Sequence, residues 1–222
     1  MALPKVKPIG SATGKTAFDY ATFDVDRRLW EIAMFFQKND PVHQSLRRIV
    51  KRLERAGIPY AVMGAMALNL HGARRTTDDV DVLLTPEGLE RFRNEVLPKF
   101  YKPVEGRSRR FEERKSGVLL DCLVTGHYPG SGKPGPFAFP DPVTNSQEIE
   151  KIRVITLPQL VQLKLAARRY KDFGDVVFLI QVHNFDESFL PQLHPSVHQD
   201  FIECLEEKRR EDEYEAREGE PP

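Results

Sequence analysis

TTDDVDVLL, residues Thr76 to Leu84, crowds three carboxylates into four consecutive positions of a segment otherwise suited to a strand. Asp is depleted from strands, and a buried carboxylate without a partner is costly. Side chains alternate across a strand, so Asp79, Asp81 and Leu83 share one face while Val80, Val82 and Leu84 share the other. The apolar face is expected to pack against helices. Asp78, directly after Thr76 and Thr77, belongs to the entering turn or pairs with Arg74 or Arg75, which could instead serve a phosphate. Asp79 and Asp81 then point into one space, where two like charges destabilise each other unless a cation lies between them. An oxygen-only, carboxylate-rich site suits Mg²⁺ or Mn²⁺, ions that keep part of their water and also take up phosphate oxygens.

The neighbouring segments extend this pattern. Upstream, IPYAVMG (Ile58 to Gly64) reads as a short apolar strand feeding straight into the helix-like AMALNLHG, which Gly72 closes; His71 ends that helix rather than acting as a base. Such a turn leaves backbone N–H groups at a helix start, where an anion is favoured, and Gly64 permits close approach. Downstream, RRFEERKSGVLLDCLVTG (Arg109 to Gly126) reads as a hairpin turning near Lys115 to Gly117, with its second strand at Val118 to Val124. Asp121 interrupts that apolar strand on the face of Leu119 and Leu123. A metal shared with Asp79 and Asp81 gives it a partner; the plainer reading is a carboxylate satisfied by backbone N–H groups or an arginine.

The remaining chain supplies mostly helices. DRRLWEIAMFFQKND (Asp26 to Asp40) and HQSLRRIVKRLERAG (His43 to Gly57) carry apolar residues at helical spacing. TPEGLERFRNEVLPKF (Thr85 to Phe100) opens on an N-cap threonine with proline at the first helical position. HYPGSGKPGPFAFPDPVTNS (His127 to Ser146) is dense in Gly and Pro and reads as a long loop. A short strand near Ile152 to Ile155 precedes one or two helices over Thr156 to His183, and a last helix spans about Ser196 to Glu215. Lys164, Arg168, Lys171 and Asp175 recur at intervals of four, three and four, on one stripe beside Leu160, Leu163 and Ala167. A solvated, salt-bridged face is the competing reading of that stripe. The expected fold is α/β (α+β): a small mixed β-sheet flanked by helices, with a C-terminal helical part. Its expected divisions are a flexible arm over 1–22, an α/β core over 23–156, helices over 157–215 and a disordered tail over 216–222.

Composition narrows the function classes. The 222 residues hold 33 Lys plus Arg and 33 Asp plus Glu, so no global field points to a nucleic acid or membrane. Cys122 and Cys204 form neither a disulfide framework nor a zinc site, as expected of reduced thiols in a cytoplasmic protein. The first residues lack the apolar core of a signal peptide, and no segment approaches a membrane span. GSATGKT (Gly10 to Thr16) imitates a phosphate-binding loop, but three residues rather than four separate its glycines and no apolar strand precedes it.

Met63-Gly64-Ala65, a helix, then Asp79-Val80-Asp81-Val82, with Asp121 on a later strand, resembles the signature of the polymerase-beta-type nucleotidyltransferase superfamily. GAMALNLHGARRTTDDVDVLL together with LKLAARRYKDFGDVVFL is similar to its minimal bacterial branch, which includes AbiEii-type toxins. The resemblance runs from about Pro59 to Val182. It implies that Asp79 and Asp81 hold a metal that orients nucleotide phosphates, and that Asp121 helps bind a second metal and activates the attacking hydroxyl. Gly64 and Ala65 would meet a phosphate, Lys164 and Arg168 would contact the triphosphate, and Asp175 would belong to the same site. The implied reaction moves a nucleoside monophosphate from a nucleoside triphosphate to a hydroxyl of RNA, protein or a small molecule, with pyrophosphate leaving. A toxin-like member would also have an antitoxin partner. Ala65 stands where the family carries Gly or Ser, which sets a second reading beside the first: a catalytically degenerate, nucleotide-binding or interaction module.

Overall fold

The computed structural model describes residues 32–36 and 38–218. The arm over 1–22, the GSATGKT segment, the first part of the helix expected at Asp26 to Asp40 and the last four residues of the tail lie outside the described residues. Helix α1 (Pro41–Arg55) begins where Asp40 accepts hydrogen bonds from the N–H groups of Val42 and His43 at 2.8 and 3.3 Å. That cap starts the helix two residues before His43 and buries Val42, Leu46, Ile49, Val50 and Leu53 along one stripe. Strand β1 (Tyr60–Met63) runs into α2 (Gly64–Leu70), whose C-cap is His71, and β2 (Asp79–Leu84) follows.

After β2, Thr85 caps α3 (Pro86–Arg91) by accepting from the Gly88 N–H at 3.0 Å. The helix widens into a π-turn (Phe92–Val96) and closes as α4 (Leu97–Phe100). Pro98, which has no N–H and whose ring crowds the preceding turn, accounts for the break in regularity. Next come β3 (Tyr101–Val104), β4 (Arg107–Glu113), β5 (Leu119–Val124), β6 (Ser146–Ile149) and β7 (Ile152–Ile155). Helices α5 (Leu157–Ala167), α6 (Tyr170–His183) and α7 (His198–Glu218) complete the chain, with two short 3₁₀ turns before α7.

All seven strands form one mixed sheet in the order β3-β4-β5-β2-β1-β7-β6. The pairs β1/β7 and β2/β5 are parallel and the rest antiparallel. The fold is therefore a mixed sheet flanked by helices, as the order of elements led one to expect. Two strands were not expected. β3 carries Pro103, which argues against a central strand; it lies on the sheet's edge, where a missing donor is tolerated. The β6–β7 hairpin turns on Glu150 and Lys151, both at positive φ (50° and 64°), a geometry normally signalled by Asn or Gly. α7 continues to Glu218, past the expected end at Glu215.

The register gives the two faces of the sheet different chemistry. Arg110, Asp121, Asp81 and Met63 are successive partners across β4, β5, β2 and β1, so they share one face. Phe111, Leu120 and Val80 share the opposite, buried face, where Phe111 packs on Phe92 at 5.1 Å between ring centroids. Glu113 is fully buried on that second face and joins α1 to the sheet through Arg48 and Arg52. The apolar core runs without interruption from Phe35 through the sheet to Leu179, Phe201 and Cys204. Both cysteines are buried and unbridged, and among the described residues no helix is long and apolar enough to cross a membrane.

Candidate active site

Strand alternation places the acidic residues together. Along β2, Asp79 and Asp81 are half-buried while Val80 and Val82 are fully buried; along β5, Asp121 is half-buried between buried Leu120 and Cys122. Asp81 and Asp121 are direct partners in the parallel pair β2/β5. Asp78 is exposed in the bend before β2, and the partner of Arg75 is Asp175 rather than Asp78.

Gly64, at the turn from β1 into α2, lies against the Asp81 side chain. Its φ of +61° suits glycine, and a Cβ there would stand 1.9 Å from Asp81 Oδ2. Any side chain at position 64 would take the volume that the Asp81 carboxylate occupies. The first turn of α2 also has no capping side chain on Met63.

The crowding shows in the acid–base chemistry. Burial, then the charges of Asp79 and Asp121, push Asp81 up to about 7, against the opposing pull of Lys164 and Arg110. Burial also raises Asp121, with Arg110 opposing it and Asp79 adding to it. Thr77 Oγ1 donates to Asp79 Oδ1 at 2.7 Å, fixing that carboxylate's orientation.

Arg110, unremarked in the sequence, stands among these acids. Its Nη2 donates to Asp79 Oδ2 at 3.0 Å and its Nε lies 3.2 Å from Asp121 Oδ1. Among the described residues no three His, Cys, Asp or Glu side chains are gathered as a ligand set. The donors themselves suit a hard divalent ion in kind: three carboxylates on one face of adjoining strands.

Across the cleft, α5 presents Lys164. Its ammonium is buried and donates to Asp175 Oδ2 at 2.6 Å, with Asp172 Oδ1 3.6 Å away. Arg75 also contacts Asp175, and Arg169 contacts Asp172. The expected stripe through Lys164, Arg168, Lys171 and Asp175 is not continuous. α5 stops at Ala167, and Arg168 adopts a left-handed conformation (φ 52°) that reorients the chain before α6. Arg168 consequently pairs with Asp200 at 2.9 Å and lines a separate groove between α6 and α7, while Lys171 is exposed. Arg169 takes the position at the cleft that spacing had assigned to Arg168.

The cleft measures about 580 Å³ and brings together Gly64, Asp81, Asp121, Lys164, Arg169 and Asp172. Its outer wall is the loop after β5. That loop is tied at its base by paired bonds between Gly126 and Phe139 and between Phe139 and His127, at 2.9 and 2.7 Å. The groove between α6 and α7 is larger, about 710 Å³, but it lacks the aligned strand carboxylates. Sequence reading missed Arg110, Asp172 and Arg169. Arg110 was detectable in principle, because the hairpin register sets it opposite Asp121.

No family model matches the chain, and no curated protein matches it. Among solved structures it is similar to the antibiotic-resistance factor ANT(2″)-Ia in complex with adenylyl-2″-tobramycin, at 14% identity and a TM-score of 0.40, over 78% of this chain and 97% of that one. It is similar to the lincosamide antibiotic adenylyltransferase LnuA bound to lincomycin, at 15% identity and a TM-score of 0.43, over 63% and 96%. A nucleotidyltransferase-like protein from Paracoccidioides brasiliensis gives 18% identity and a TM-score of 0.44, over 77% and 91%.

Proposed function

We propose that the chain is a metal-dependent nucleotidyltransferase that moves a nucleoside monophosphate from a nucleoside triphosphate to an acceptor hydroxyl. One observation carries this reading: Gly64 leaves out a side chain where Asp81 needs the space, beside Asp79 and Asp121 on adjoining strands. Arg110 offsets part of the charge of Asp79 and Asp121, and phosphoryl transfer depends chiefly on positioning and on neutralising charge. Mg²⁺ or Mn²⁺ held by Asp79, Asp81 and Asp121 would supply that neutralisation and align the triphosphate.

The chain's own groups then divide the work. Asp121, whose proton affinity burial raises, would accept the proton of the acceptor hydroxyl. Lys164, held by Asp175 and Asp172, presents a fixed positive charge to the triphosphate from the opposite wall. Ala65 offers its backbone N–H at the start of α2, close beside Gly64. Arg169 adds a second cation at the cleft, in the role that Arg168 does not reach. An acceptor class of RNA, protein or small molecule, a toxin-like role with an antitoxin partner, and a cytoplasmic setting accompany this proposal.

The test is incubation with α-labelled nucleoside triphosphates, Mg²⁺ and pooled RNA, protein and small-molecule acceptors. Label transfer is expected from the parent, with a loss of at least about a hundredfold in Asp79→Ala, in keeping with removal of a charge-stabilising group. Transfer that survives that substitution unchanged would sink the enzymatic reading. Nucleotide binding without transfer would instead select the degenerate module.

A further inference from the structure

Among the described residues, Arg110 is bonded unlike Arg48 and Arg52, which also join a strand carboxylate. Arg48 reaches Glu113 through its Nε at 2.8 Å and also through Nη2, and Arg52 adds a third bond at 2.7 Å. Those contacts are aligned and multiple, as a permanent clamp requires. Arg110 makes one aligned hydrogen bond, to Asp79, and its buried Nε has no hydrogen-bond partner although Asp121 Oδ1 is 3.2 Å away. An N–H left unsatisfied in this way is costly to keep. The side chain is about one-third exposed and lines the same cleft as Gly64 and Lys164. It therefore has both a reason and a route to move.

We infer that Arg110 is an internal counter-cation that occupies the carboxylates in the absence of metal, is displaced from Asp79 and Asp121 when a divalent ion binds, and then turns to a phosphate of the incoming nucleotide. The inference rests on the metal-dependent reading of Asp79, Asp81 and Asp121. Ion and guanidinium compete for the same oxygens, so each weakens the other's hold. Once released, the guanidinium is a planar fork suited to phosphate oxygens. Metal binding thereby creates a nucleotide contact that did not exist before it. By linkage, nucleotide strengthens metal binding by the same factor. The site would in this way be reluctant to hold a bare ion and ready to hold an ion that arrives with its nucleotide.

The competition predicts effects of opposite sign from one substitution, which a purely structural arginine would not produce. Mn²⁺ binding is followed by electron paramagnetic resonance on the full chain, first with Mn²⁺ alone and then with Mn²⁺ and a triphosphate analogue carrying a methylene between the α and β phosphates. Arg110→Gln is expected to bind Mn²⁺ alone about tenfold more tightly and to bind the Mn²⁺–analogue pair about tenfold more weakly, the scale of one charged hydrogen bond. Arg110→Lys keeps the charge without the fork, so it should shift both affinities in the same directions by smaller factors; it serves where the glutamine variant does not fold. Equal or weaker binding of Mn²⁺ alone by the variants would overturn the inference, leaving the metal site itself intact if Asp81→Asn abolishes that binding. Absence of Mn²⁺ binding in parent and variants alike would overturn the metal-dependent reading, and this inference with it.

Discussion

The carboxyl of Asp81 has a cost that can be measured directly. Its folded-state value near 7 lies above the ordinary 3.8, so the unfolded chain gives up this proton first. Between about pH 4 and pH 7 the folded state holds the extra proton, and this group's contribution to stability falls as pH rises through that window. Asp81→Asn removes the effect. At pH 8 without divalent ions, Asp81→Asn is expected to be more stable than the parent by about 2 kcal/mol, a discounted share of what a three-unit displacement implies. At pH 4 the two should be nearly equal. Denaturant titrations at both pH values measure the difference, and equal stabilities at pH 8 would show that the carboxylate is already compensated. That Asp79 and Asp81 share one face was legible from residue spacing alone, because alternation in DVDV admits one assignment. The hairpin register already sets Arg110 opposite Asp121; that Arg110 also reaches Asp79 was not legible, because it depends on β2 lying beside β5.

At the level of elements, the bond between α1 and β4 is decisive. Burial pushes Glu113 up, but hydrogen bonds from Arg48, Ser116 and Arg52 and the Arg48 charge outweigh it and bring the group down to about 2. This lowered value means stability that is present above about pH 4.5 and lost as pH falls toward 2. Glu113→Gln leaves two guanidinium groups without their anion, at an expected cost of about 3 kcal/mol at pH 7. Urea unfolding of the variant should show that loss, together with a flatter response to acid below pH 4.5; an unchanged midpoint would mean that α1 is held by its apolar stripe alone. The helices and the hairpin were legible because caps, prolines and apolar periods are local signals. β3, β6 and the break at Arg168 were not, because an edge position excuses Pro103 and left-handed turns at Glu150, Lys151 and Arg168 violate the usual residue preferences.

Across the whole molecule, the sheet and the C-terminal helices share one apolar core. Phe201 of α7 is fully buried and packs on Phe189 with tilted rings, 5.6 Å between centroids, while Leu179 of α6 and Val161 of α5 join the same cluster. Cutting Phe201 back to Ala should therefore cost about 3–5 kcal/mol and shift one cooperative transition rather than split it. Calorimetry distinguishes the outcomes, since a second, earlier transition would show the helices melting apart from the sheet. This shared core also sets Lys164 opposite the strand carboxylates, an alignment no local pattern contains. The sequence by itself determined the acidic face of β2, the glycine turn before it and the mixed helix-and-sheet composition, because caps, alternation and turn chemistry act within a few residues. The tertiary structure alone decided that Arg110 bridges Asp121 and Asp79, that Arg169 rather than Arg168 reaches the cleft, and that Asp172 and Asp175 hold Lys164. Those placements depend on strand order, on register and on one left-handed residue between two helices, which are set by packing across the whole core.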